Sequence, residues 1–202
     1  MRRSRRLAST VLLLTAGIAT ACTSEGTQPH GGDGPWTLNG LVATAAGATI
    51  QRSIDAPPSK GTAKILGIAG VADTDVILSV KDGVCQVTPL PASLTEPTGT
   101  APTSVGAPRP AGHASSDAHQ EFPGTILDGK YTAASAQLQP FQFATVGCSE
   151  KAMAVQIEGI GGALPMKKSG DSLQVWREGQ NAVIAVGLPE AIHGQAPKQS
   201  TS

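Results

Sequence analysis

Residues 63–90 read AKILGIAGVADTDVILSVKDGVCQVTPL, and this stretch is the clearest indication of how the chain folds. Two runs rich in β-branched residues, 65–71 and 76–80, are followed by Lys81-Asp82-Gly83 and a third run at 84–87. An Asp-Gly step between two such runs is typical of a tight β-hairpin. The stretch therefore predicts consecutive antiparallel strands.

The second half of the chain repeats this pattern. Further strands are predicted at residues 131–138, 141–148 and 153–160, and a last hairpin joins 173–176 to 183–186 across Glu178-Gly179-Gln180-Asn181. No window shows the long apolar stripe of an amphipathic helix, although residues 43–56 could form a short one. The sequence predicts a mainly β fold, either an antiparallel sandwich or an open barrel.

A long stretch between these strands has a different composition. Residues 89–123 are dominated by Pro, Thr, Ser, Ala and Gly, which cannot bury enough apolar surface to order a chain. We therefore expect a long disordered insertion at about 89–123 within a single β-rich domain that spans residues 36–190. Residues 191–202, rich in Gln, Pro and Ser, are predicted to be a disordered tail.

The N-terminus has the layout of an export signal. Four arginines among the first six residues precede an apolar run at 7–18, and Ala19-Thr20-Ala21 leads into Cys22. The apolar run is shorter than the roughly 20 residues that span a bilayer as a helix. An ordinary secretory signal followed by a coincidental cysteine is the alternative.

With a cysteine at the cut site, this segment resembles the signal of a bacterial lipoprotein, and the composition resembles that of actinobacterial cell-envelope proteins. The resemblance implies that residues 1–21 are removed and that the Cys22 thiol receives a diacylglycerol. It also implies a flexible tether at 22–35 and a lipid-anchored location at the extracytoplasmic face of the cell membrane. The family usually has Leu, Val or Ile three residues before the cysteine, where this chain has Ala19.

The charge of the mature chain limits its partners. Removing residues 1–21 takes four of the 15 basic side chains and none of the 15 acidic ones, so 11 basic and 15 acidic groups remain and the net charge is −4. This charge argues against nucleic acid as a partner and against general attraction to anionic lipid head groups. Acyl chains on Cys22 would then be the membrane attachment.

Two cysteines remain once Cys22 is lipidated. An exported chain with Cys85 and Cys148 most economically forms one disulfide between them. A metal pair or a reactive thiol is the alternative, but the two residues have no C-x-x-C spacing.

Candidate sites for chemistry are few. Imidazole and carboxylate groups that could ligate a metal occur together in one short segment, at His113, Asp117, His119 and Glu121. Their spacing matches no standard zinc motif, and an unstructured segment supplies no neighbours that would orient the ligands. We therefore predict no metal and no cofactor.

No catalytic motif is apparent either. The glycines at 159–162 favour a strand bend over a dinucleotide loop, because Pro165 opposes the helix that such a loop requires. No G-x-S-x-G elbow occurs, and His193 lies near the C-terminus rather than at a strand end. Trp36, Trp176 and Tyr131 could line a ligand surface, but single aromatics in a β protein are more often core.

These observations lead to one expected function and one rival. We expect a lipid-anchored envelope protein of non-catalytic, binding or structural type. Its ligand would be another envelope component or an apolar molecule held between the sheets. The rival is an envelope hydrolase with an unrecognised active site.

Overall fold

The computed structural model of the chain describes residue 38 and residues 41–58, 60–108, 110 and 121–193. All of them belong to one compact unit, residues 34–202. Within these described ranges no helix combines the length and the apolar character needed to cross a membrane.

The described residues form two antiparallel five-stranded sheets, which confirms the predicted mainly β fold and its sandwich form. The first sheet has the order β4-β3-β2-β1-β8 and consists of β1 (Lys64–Val71), β2 (Thr74–Lys81), β3 (Val84–Pro91), β4 (Val105–Pro108) and β8 (Met166–Ser169). The second has the order β5-β6-β7-β10-β9 and consists of β5 (Tyr131–Ala136), β6 (Phe143–Ser149), β7 (Ala152–Glu158), β9 (Leu173–Glu178) and β10 (Asn181–Gly187). The sheets do not close into a barrel.

Both predicted hairpins are confirmed. Asp82 and Gly83 connect β2 to β3 with φ values of 50° and 75°, the positive values that a type I′ turn requires at both central positions. Gly179 connects β9 to β10 with a φ of 60°. Glycine adopts this backbone conformation without steric cost, which explains why it occurs at these turns.

The core lies between the sheets and consists of the side chains that point inward from alternate positions of the strands. On β2, Val76, Leu78 and Val80 point into the intersheet core, while Ile77 points to the opposite face. Every residue of β2 is nevertheless buried, because the outer face of this sheet is covered as well.

Both outer faces are covered by short segments. The short helix that the sequence left open at residues 43–56 is present as α1 (Ala48–Ile54), and its Ile54 packs on the first sheet. The second sheet is covered by the turn α2 (Glu121–Gly124) with Ile126 and Leu127, and by the C-terminal 3-10 turn η1 (Pro189–Ala191). The domain therefore has two small apolar clusters outside its main core.

The predicted disordered insertion is wrong for part of its length. Strand β3 continues to Pro91, and β4 pairs with β3 through Val87 and Val105. Val105 and Ala107 face the core, so a short apolar alternation lies within the Pro- and Thr-rich sequence. Residues 111–120 lie outside the described residues.

The predicted boundary at residue 190 is also wrong. Ala191 and Ile192 are buried in the outer cluster on the second sheet, and Ile192 forms a β-bridge with Leu127. These residues bury apolar surface despite the polar sequence that follows them. The rest of the predicted tail, 194–202, lies outside the described residues.

The glycine-rich stretch after β7 is a bend, as predicted. Gly159, Gly161 and Gly162 have φ values of 78°, 60° and 87°. The bend leads into β8, a strand that the sequence analysis did not identify. Arg177 supports the bend by donating a hydrogen bond from Nη1 to the carbonyl oxygen of Gly162 at 3.2 Å.

Candidate functional site

The two sheets are connected through Cys85 on β3 and Cys148 on β6. Their sulfur atoms lie at bonding distance, 2.19 Å, with Cα atoms 5.8 Å apart, which fits the predicted disulfide. Both side chains are fully buried in the intersheet core. An accessible thiol or a metal pair does not fit a buried site lined by aliphatic side chains.

The other predicted site residues fall largely outside the described part of the chain. Cys22, His113, Asp117 and His119 are not among the described residues, and Glu121 begins α2 without a described side chain. Elsewhere in the described residues, no group of three or more His, Cys, Asp or Glu side chains could hold a metal ion.

A cleft of about 390 Å³ opens at one end of the second sheet. Three separate segments form it: the approach to β5, the turn between β6 and β7, and η1. Its lining consists of Asp128, Gly129, Lys130, Ser149, Glu150, Lys151, Glu190 and Ala191. The volume falls in the range of small-molecule sites.

Backbone hydrogen bonds hold these three segments together. The Asp128 N–H donates to the carbonyl oxygen of Ala191 at 3.1 Å, and the Leu188 N–H donates to that of Lys151 at 3.3 Å. The two bonds connect the C-terminal segment to both other walls. The cleft is thus part of the folded framework rather than a space between loose loops.

The cleft has a charged, exposed rim. Asp128, Glu150 and Glu190 contribute carboxylates, and Lys130 and Lys151 contribute ammonium groups, all from exposed residues. A rim with both charges suits a polar partner that carries ionised groups.

A serine, a histidine and an aspartate occur near the cleft, which raises the possibility of hydrolase chemistry. His193 Nε2 lies 3.3 Å from Asp128 Oδ1, and both side chains are mostly exposed. Ser149, by contrast, is buried and donates its hydroxyl proton to the carbonyl oxygen of Ala152 at 3.0 Å.

The Ser149 hydroxyl also accepts hydrogen bonds from the backbone. The N–H of Ala152 lies 3.0 Å from Ser149 Oγ, and that of Lys151 lies 3.4 Å away. Through these contacts the Ser149 side chain stabilises the β6–β7 turn. A nucleophilic serine would instead be hydrogen-bonded to its histidine base.

Of the three aromatic candidates, the two that the structure describes are packing residues. Tyr131 is buried in the outer cluster of the second sheet, and Trp176 packs against the same cluster. Both are packing residues, in line with the commoner role of single aromatics. Trp36 lies outside the described residues.

A second surface feature lies along the outer edge of β1, where β8 pairs with it. We call residues 164–168, at the start of β8, the β8 edge. Val42 is 79% exposed, Leu164 68% and Met166 60%, and these are the large apolar side chains that stand exposed among the described residues.

Two polar contacts join the start of the domain to β8 and to β1, one to each strand. Thr44 Oγ1 lies 3.1 Å from Ser169 Oγ on β8, and the Lys64 ammonium donates to the carbonyl oxygen of Leu41 at 2.5 Å. Partial burial lowers the pKa of Lys64 from its usual value of 10.5.

Sequence reasoning did not find the cleft or the β8 edge. The cleft is formed by residues near 129, 150 and 190, and no local pattern connects these segments. The signal for the β8 edge was present in Leu164-Pro165-Met166-Lys167-Lys168, where apolar and basic residues adjoin. Comparisons of the chain with protein-family models, with curated proteins and with solved structures find no match.

Proposed function

We propose that this chain is a lipid-anchored, non-catalytic protein of the extracytoplasmic envelope that holds a binding domain near the membrane. The observation that carries the proposal is the buried Cys85–Cys148 pair. Disulfides persist in oxidising compartments, and the basic, short-apolar N-terminus that ends at Cys22 is the kind of segment that directs export to one.

The packing of the domain favours one of the expected ligand types. Side chains from both sheets fill the space between them in one continuous apolar cluster, and the Cys85–Cys148 pair lies within it. This arrangement supports binding at the surface over an apolar ligand held between the sheets. The partner is then another envelope component.

The cleft is the best candidate for that contact. Its carboxylates and ammonium groups can pair with ionised groups of a partner, and the backbone bonds of Asp128 and Leu188 hold its walls in place before binding. A preformed site loses less conformational entropy on binding than a loop that must first be ordered.

The anchor is tested by replacing Cys22. Wild-type protein and Cys22→Ala are expressed in a bacterium that processes lipoproteins, then separated by detergent partitioning, and the mature N-terminus is weighed. We expect wild type in the detergent phase with the added mass of a diacylglycerol, and Cys22→Ala without it. Ser24→Ala is the matched control and should behave as wild type. Equal aqueous partitioning of all three would refute the anchor.

Binding at the cleft is tested by reversing its charge. Glu150→Lys with Glu190→Lys should abolish crosslinks from the cleft to an envelope component in intact cells, whereas Asp171→Lys, an exposed acid outside the cleft, should preserve them. Crosslinks that survive the cleft substitutions would show that the partner binds elsewhere.

A further inference from the structure

In the described part of the chain the two sheets end in four edge strands, and three of these are protected against pairing with another chain. Strand β4 is short and ends in Pro108, and the Thr132 hydroxyl of β5 donates to the carbonyl oxygen of that proline. Strand β8 carries Lys167 and Lys168. Short length, proline, lysine and coverage by a neighbour are common means of keeping edge strands from pairing. The fourth edge strand, β9, is longer and contains neither proline nor lysine.

The backbone of β9 presents unpaired groups on its outer side. The Leu173 N–H donates to the carbonyl oxygen of Gly170 at 3.2 Å, so it points away from β10. Successive residues of an antiparallel strand bond to opposite sides, so the N–H and C=O groups of Val175 and Arg177 also point away from β10. Within the described residues no strand pairs with β9 on that side, and neither residue has a backbone partner there. Val175 and Arg177 thus offer four backbone groups to an added strand.

These free groups select one register for pairing with a second copy of the chain. A twofold axis at Trp176 places Val175 of each copy opposite Arg177 of the other, and all four groups of each copy can form hydrogen bonds. An axis at Arg177 would bring two guanidinium groups together. An axis at Val175 would place Arg177 opposite Leu173, whose N–H is already bonded. The register centred on Trp176 uses every free backbone group without placing like charges opposite each other.

The side chains of β9 are complementary in this register. Trp176 is half-buried on the outer cluster, and its remaining surface would face Trp176 of the second copy. Gln174 would lie opposite Glu178, where its amide can donate to the carboxylate. Aromatic pairs across antiparallel strands favour association. The Arg177 guanidinium is held by acceptors of its own hairpin turn and would oppose no charge of the second copy.

We propose that the domain self-associates through the outer edge of β9, which joins the second sheets of two copies into one continuous antiparallel sheet. Two residues of each copy exchange backbone bonds, and contacts of such limited extent give weak dimers. None of the residues that line the cleft lies on β9, and the pairing does not involve Cys22. This inference is therefore independent of the proposed anchor and of binding at the cleft.

Disulfide crosslinking tests the register. Residues 22–202 with Cys22→Ala, which removes both acylation and a third native cysteine, are prepared with Gln174→Cys in one sample and Glu178→Cys in another sample of different mass. Opposite residues of this kind have Cα atoms about 4.5 Å apart, within the range of a disulfide. Like positions would lie about 13 Å apart along the strand. With oxidised glutathione as the oxidant, the mixture should give about tenfold more crosslinked dimer than either sample alone.

Charge substitutions test the strength of association, measured by sedimentation equilibrium of the same chain without added cysteines. Gln174→Lys places an ammonium group opposite Glu178 of the second copy and should raise the association constant about threefold. Adding Glu178→Lys turns each ion pair into a pair of like charges and should lower that constant about tenfold. Gln137→Lys is the matched control, because this exposed residue follows β5 at the opposite edge of the second sheet. It should leave association unchanged.

Three results would overturn the proposal. A monomer at every concentration, with no excess of crosslinks in the mixture, means that no second copy occupies the edge of β9. Crosslinks that form equally in the single-cysteine samples and in the mixture rule out the register centred on Trp176. A dimer that responds alike to Gln174→Lys and Gln137→Lys forms through another surface.

Discussion

The hydroxyl groups of Thr44 and Ser169 lie 3.1 Å apart, although 125 residues separate them in the chain. Ser169 ends β8 and pairs with Ile68, while the Thr44 N–H bonds to the carbonyl oxygen of Ile65. The start of the domain and a late strand thus share one side of β1. This contact joins the start of the described domain to β8, the strand that borders the first sheet.

Removing the Thr44 hydroxyl should cost about 1 kcal/mol of unfolding free energy, a usual value for a part-buried hydrogen bond. Thr44→Val removes it, and Thr44→Ser keeps it as the matched control. Chemical denaturation gives the free energies, and Thr44→Val combined with Ser169→Ala completes a double-mutant cycle. Strictly additive losses would show that the two hydroxyls do not interact in solution.

Breaking the Cys85–Cys148 connection should destabilise the domain by about 4 kcal/mol, the loop-closure value for a long loop, since 63 residues separate the two cysteines. Cys85→Ala with Cys148→Ala tests the stability. Alkylation of protein that carries Cys22→Ala, followed by intact-mass measurement, tests the bond itself. Two thiols should be labelled only after reduction, and equal labelling without reductant would contradict the pairing.

Gly147 allows the α2 segment to pack on the second sheet. A Cβ atom at this position would lie 2.5 Å from Pro123 Cβ and 2.9 Å from Leu127 Cδ1. Gly147→Ala should therefore cost about 1–3 kcal/mol through overpacking. Gly99→Ala is the control, because a Cβ there meets nothing within 4 Å. Equal thermal stability of the two variants would mean that Pro123 and Leu127 do not pack tightly against β6 at Gly147.

Ser149→Ala should destabilise the domain by about 1–2 kcal/mol, because it leaves buried backbone groups of the β6–β7 turn without their partner. Ser135→Ala removes an exposed hydroxyl bonded to Thr145 and should cost less. An esterase screen of both variants provides a second measurement. Activity in wild type that disappears only in folded Ser149→Ala would make the non-catalytic assignment untenable.

The lowered pKa of Lys64 gives a pH dependence of defined sign. The folded chain releases this proton at a lower pH than the unfolded chain, which titrates near 10.5. Between the two values the unfolded state binds more protons, so the free energy of unfolding rises with pH there. Lys64→Met should remove this rise in alkaline denaturation curves, with exposed Lys60→Met controlling for the loss of a lysine. Parallel curves for wild type and Lys64→Met would contradict it.

How far the sequence predicts this fold depends on how local each signal is. The β2–β3 hairpin was predictable because Asp82-Gly83 stands between two β-branched runs, and a turn of this kind needs no distant partner. Strand β8 was not, since Met166–Ser169 carries two lysines and is a strand only because its backbone pairs with β1. Strand β4 was missed for a similar reason, since its four residues lie within sequence of disordered composition.

The candidate sites also were predictable only where the signal for them is local in the sequence. The pairing of Cys85 with Cys148 was predictable from their even number and from the N-terminus that resembles an export signal, without knowledge of the fold. The cleft requires the β5 approach, the β6–β7 turn and η1 to meet, and that meeting depends on bonds such as Asp128 N–H to the Ala191 carbonyl oxygen. Tertiary contacts of this kind produce no recognisable pattern in the amino-acid sequence.

The strand order also determines when each strand edge becomes paired in a chain that folds during synthesis, N-terminus first. Strands β1 to β4 are neighbours in sequence and can assemble as soon as residue 108 appears. Apart from the bond between the Thr44 N–H and Ile65, the outer edge of β1 stays unpaired until Met166–Ser169 follows, after β5, β6 and β7 have already emerged. For that interval the nascent domain presents a bare strand edge, the kind of surface at which neighbouring chains aggregate and on which chaperones act.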